Sequence, residues 1–169
     1  MKTTLLLSLL LAVLPLSMTI HAGTLAERAA KEKTEWMIGK WATEEGNVSI
    51  SYTWKLDKNM VAVAFKLGDR EAEGMIVQKP GTDKVIYNAA DNKGGVTTGE
   101  WIQHNGNPTL VSTSTDAEGK EVKIAAEHIK TDADTMTVKL YKQDASGRPE
   151  GDPVREVVFK RQKQEAEKR

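Results

Sequence analysis

Cysteine is absent from all 169 residues, which excludes disulfides, thiol chemistry and Cys-ligated zinc. The fold must be held by its own core, and a mature chain of about 140 residues is long enough to bury one. Aromatics are scarce apart from tryptophan: two Phe and three Tyr stand beside four Trp. Of three His, one (His21) lies close to the N-terminus, outside the region that alternates like a folded domain. Neither sign of charge prevails, with 24 basic and 24 acidic residues. The chain therefore lacks the basic excess by which proteins engage nucleic acid or anionic membranes.

The first stretch is unlike the rest. Lys2 precedes an apolar run from Leu5 to Leu16, broken only by Ser8 and Pro15, and a short segment ends at Ile20-His21-Ala22. That layout predicts a cleaved secretory signal over residues 1–22, because the run is too short for a comfortable bilayer span. The expectation is a secreted or periplasmic protein with no membrane span after cleavage. No cysteine stands after the cut, so lipid attachment there is excluded.

Thr24-Leu25-Ala26-Glu27 has the form of a capping box. Leu25, Ala29 and Trp36 then recur at helical spacing, and Gly39 can end the segment. Residues 23–38 are read as an N-terminal helical piece, helical over 24–37, that covers one end of the domain beginning at Gly39. From Gly39 onward, apolar residues alternate and turn signals recur at short, regular intervals, Asn105-Gly106 being the strongest. Val48, Ile50, Tyr52 and Trp54 share one face, and Val61, Val63, Phe65 and Leu67 repeat the pattern. Further strands are expected at 71–78, 84–90, 95–103, 108–115, 120–130, 135–142 and 154–161. The segment from Asp144 to Pro153, with two Gly and two Pro, is expected to be a loop.

Short turns between successive strands make a meander, and a long meander loses its edges by closing. The fold expected over residues 39–161 is an all-β, antiparallel up-and-down barrel of about eight to ten strands. A two-sheet sandwich is the rival, but it wants long crossovers, and only 144–153 qualifies. Residues 162–169 form a charged tail.

Trp36-Met37-Ile38-Gly39-Lys40-Trp41 resembles the opening of lipocalins and their calycin relatives. The W-x-x-G-x-W form is similar to uncharacterised exported bacterial proteins with a lipocalin-like barrel, as is the run from Gly94 to Trp101. The resemblance covers residues 36–161 in outline. It implies a barrel with a cavity for a small apolar molecule. It also implies structural roles for Gly39, Trp41 and Arg161, since the lipocalin pattern sets a basic residue of the last strand beside the first-strand Trp.

No catalytic frame emerges. There is no H-E-x-x-H and no G-x-S-x-G, so no catalytic residue, metal ligand or cofactor is assigned. His128 shares strand parity with Val122, Ile124 and Ala126 and is expected to face inward, as a hydrogen-bonded core residue rather than a haem ligand or base. His104 sits in a turn. Glu73, Glu100 and Glu127 are the strand carboxylates to examine for an acid–base pair. Asn47-Val48-Ser49 matches a glycosylation acceptor, a pattern common by chance. The expected ligand-lining residues are Tyr52, Trp54, Phe65, Met75, Tyr87 and Trp101. Two functions are compatible with these residues: an exported protein binding a small, mostly apolar molecule, or a cavity-free structural or interaction module of the cell envelope. An enzyme is the least supported reading, and no protein partner is identified.

Overall fold

The computed structural model describes residues 23–163; the expected leader and residues 164–169 lie outside the described residues. Helix α1 runs over Leu25–Lys31. The Thr24 hydroxyl accepts from the Glu27 amide, and the Glu27 carboxylate accepts from the Thr24 amide, so the capping box forms. The helix is shorter than the 24–37 expected. Lys33 adopts φ 55°, and the amides of Lys33 and Thr34 fold back on the carbonyls of Ala30 and Ala29. That is a Schellman ending with lysine in the position glycine usually takes. A 3-10 turn over Glu35–Met37 comes next.

Ten strands follow among the described residues: β1 Gly39–Ala42, β2 Val48–Lys55, β3 Met60–Leu67, β4 Arg70–Gln78, β5 Val85–Asp91, β6 Val96–His104, β7 Asn107–Thr115, β8 Glu121–Lys130, β9 Thr135–Gln143 and β10 Pro149–Arg161. Each pairs antiparallel with its neighbours in chain order, and β1 closes on β10. The up-and-down barrel is therefore the architecture, and it is compatible with a calycin-like fold. Among the described residues no helix is long and apolar enough to cross a membrane.

The segment expected to be a loop is partly strand. Pro149 and Glu150 pair with Gln143 and Lys142, and β10 resumes its register at Arg155 opposite Leu140. Five steps along β10 match two along β9, so three residues are looped out. Gly151 sits in this bulge at φ 69°, and Pro153 lies where no ladder amide is required, which reconciles both residues with a strand.

A buried cluster packs at the α1 end of the barrel. Trp41, Met136, Leu25, Met37 and Phe159 are buried there in one cluster. The Trp41 indole donates to the Met37 carbonyl at 2.8 Å and meets Trp36 edge-on at 6.2 Å. Arg161 lies over the Trp41 ring, its guanidinium carbon 4.1 Å from the centroid. Its Nη1 and Nη2 donate to the carbonyls of Ile38 and Trp36 at 2.9 and 2.7 Å. Gly39 permits this approach: a Cβ there would stand 2.6 Å from Arg161 Nη1, and its φ is 134°.

Candidate functional site

Side chains pointing inward from the strands leave a cavity of about 290 Å³ in the barrel interior. A smaller one of about 100 Å³ lies between the barrel and α1, lined by Leu25, Met37, Trp54, Val61, Ile76 and Val85 among others. Tyr52 and Trp101 border both, and so divide them. At the far end from α1 the larger cavity reaches the exposed side chains of Leu67 and Arg155. One end is covered and the other opens to solvent.

Small residues help to create the space. Gly74 faces inward at its level of β4, opposite Val63. A Cβ there would lie 2.7 Å from the Ala89 side chain and 3.0 Å from the Tyr87 ring, so Tyr87 sits where a larger residue would push it into the cavity.

Of the residues expected to line a pocket, Tyr52, Phe65, Tyr87 and Trp101 border the larger cavity. Trp54 borders the smaller one. Met75 borders neither and is 42% exposed on the outer face. The inward position at that level of β4 belongs to Ile76, because Met75-Ile76-Val77 is a continuous apolar run in which composition does not reveal which side points in.

The polar centre of the cavity is a trio of two buried residues, Tyr52 and His128, and the half-buried Trp101. His128 Nδ1 lies 3.0 Å from the Ala126 carbonyl and Nε2 lies 3.1 Å from the Tyr52 hydroxyl. A carbonyl only accepts, so Nδ1 carries the proton, and bare Nε2 accepts from Tyr52. Burial holds the imidazole neutral by pushing its pKa down to about 4. Burial, with Tyr87 nearby, pushes the Tyr52 hydroxyl far above its ordinary value. Trp101 lies against His128 with ring centroids 5.0 Å apart. Its indole N–H is buried and has no hydrogen-bond partner among the described residues. An unmet buried donor is costly, by about 1–3 kcal/mol.

Among the described residues no acid–base pair forms across this cavity. Glu127, next in sequence to His128, points to the opposite face of β8. There it is 2% exposed and accepts from the Tyr141 hydroxyl at 2.8 Å and Asn107 Nδ2 at 2.9 Å. Burial, reinforced by this bond to Glu127, pushes Tyr141 up to about 12. His104 packs edge-on against Tyr141 at 5.9 Å. Glu100 pairs with Lys84 on the outer surface at 2.8 Å. Among the described residues, the larger cavity has no carboxylate in its lining.

Sequence reasoning reached His128 through its parity but did not single out Arg155. Among the described residues it is the one member of the cavity lining that is charged at neutral pH. Its alternation with Val157 and Phe159, in an unbroken ladder from Arg155 to Lys160, is the local signal that could have found it. Comparison with protein families and with curated proteins finds no match to this chain.

Proposed function

We propose that this is an exported, lipocalin-like binding protein that holds a small, mostly apolar molecule inside its barrel. The reading of residues 1–22 as a secretory leader supports export. The observation that carries the binding reading is the 290 Å³ cavity, walled mainly by aliphatic and aromatic side chains, with an unmet indole donor at its border. Empty space is expensive in a protein core. Enclosed cavities cost about 24 cal/mol per Å³, and this one, covered at the α1 end and open at the other, forgoes part of the packing that a filled barrel would have. A barrel serving only as a scaffold gains nothing from such a void, which counts against the cavity-free module.

Native mass spectrometry and tryptophan fluorescence against a panel of C6–C10 alkyl and terpenoid compounds test the reading. Saturable one-to-one adducts with a change in Trp emission are expected. A folded protein that takes up none of the panel would count decisively for the module.

A further inference from the structure

Resting on that binding reading, we propose that the ligand is an anionic amphiphile, its apolar body in the cavity and its single negative head paired with Arg155 at the mouth. The sign of the head is set by the lining. Among the described residues Arg155 alone supplies charge there at neutral pH, and no carboxylate borders the cavity to neutralise it. An anion entering the mouth meets a cation unopposed from within.

The register of β10 after its bulge places Arg155 at this level. Glu150 pairs with Lys142, so an uninterrupted ladder would set Asp152 opposite Leu140, two residues further along each strand. The three looped-out residues set Arg155 there instead. Arg155 then shares the inward phase of Val157 and Phe159, which also line the cavity. Bulges characteristically re-aim side chains in this way.

The guanidinium is also uncommitted. Arg28, Arg70 and Arg161 each hold a carboxylate, those of Glu32, Asp91 and Asp134. Arg155 makes no side-chain hydrogen bond or ion pair with any described residue. Its neighbour Glu156 is engaged by Lys139 at 3.2 Å. A planar guanidinium offers paired donors matched to a carboxylate or phosphate, and this one is available for them. The exposed, inward-facing Leu67 (43% exposed) borders the same mouth and suits the carbon nearest the head.

Size limits the body. At about 30 Å³ per non-hydrogen atom, the share a water takes in the liquid, 290 Å³ holds a body of about ten such atoms. An eight-carbon chain fits with its head at the rim.

The test is isothermal titration at pH 7.5 of octanoate, octyl phosphate, 1-octanol and octylamine into the wild-type protein, Arg155→Met and Arg155→Lys. Thermal unfolding confirms that each variant is folded. Octanoate or octyl phosphate is expected to bind about tenfold more tightly than octanol, the value of one charge-assisted contact at a partly exposed site. Whichever head is preferred identifies the source of the anion. Arg155→Met should erase the preference while leaving octanol affinity unchanged, and Arg155→Lys should keep part of it. Equal affinities for octanol and both anions, or a preference that survives in Arg155→Met, would overturn the head-group assignment and leave the cavity reading intact. Failure of all four compounds to bind folded wild-type protein would overturn both.

Discussion

At the residue scale, His128 makes the protein's stability depend on pH in a window that can be named. Its folded pKa, about 4, lies below the ordinary 6.5 because burial penalises the imidazolium. Between those values the unfolded chain binds a proton that the folded protein does not, so stability falls as pH drops from about 6.5 to about 4. A shift of this size corresponds to roughly 3 kcal/mol at the acid end of the window. Urea denaturation of wild type and His128→Gln at half-unit intervals checks this: the difference between their pH slopes should be confined to that window. Arg161 supports a second prediction. Arg161→Ala removes a cation–π contact worth about 1 kcal/mol and leaves the carbonyls of Trp36 and Ile38 without their donors, a further loss of about 2 kcal/mol. A drop of about 3 kcal/mol in chemical denaturation is expected, with ligand affinity nearly unchanged because Arg161 does not border the larger cavity. Equal stability of the two proteins would show that the contact over Trp41 contributes nothing.

At the element scale, the seam between β1 and β10 is short. Only Trp41↔Arg161 and Ala42↔Lys160 join the strands; beyond Ala42 the chain turns away, the Thr43 amide bonding the Val48 carbonyl. The Arg161 amide points to Asp134 on the β9 side and the Gln162 amide to Lys40 on the β1 side. Strand alternation carries that phase back along β10. The amides of Val157 and Phe159 face β9, and those of Glu156 and Val158 face a seam without a strand. Hydrogen exchange resolved by NMR should show the second pair exchanging roughly a hundredfold faster than the first, or more; protection of all four alike would mean that something covers the seam. The same element shows what the sequence could and could not disclose. Clean alternation, as in Val48 to Trp54 or Val61 to Leu67, specified both strand and inward face, and with them most of the cavity wall. Gly151 and Pro153 hid the start of β10, because a bulge is defined by pairing with another strand and leaves no periodic trace. Lys33 hid the end of α1 in a similar way, through a left-handed residue that composition does not mark. Arg155 alternates with Val157 and Phe159, so its inward side was legible in the strand, but a charge at an inward position gave no sign that it stands at the mouth of a cavity.

At the scale of the whole molecule, the cavity sets stability against binding. Ala126 lies on the cavity wall, its strand neighbours being Leu110 and Leu140, so a larger aliphatic side chain grown from it enters the void. Ala126→Leu adds three carbons, about 80 Å³ of filled volume, and recovers up to about 2 kcal/mol if the side chain settles without strain. Overpacking would reverse the sign, at a cost of about 1–3 kcal/mol, but a void several times larger than the added group leaves room for an ordinary rotamer. The expected result is a higher melting temperature for the unliganded variant, together with weaker octanoate binding and a smaller thermal shift on adding it. A binding protein exchanges core packing for a ligand that restores the packing when it arrives, so the two effects should oppose each other in one substitution. A destabilised Ala126→Leu would show that the interior is already occupied by its own side chains.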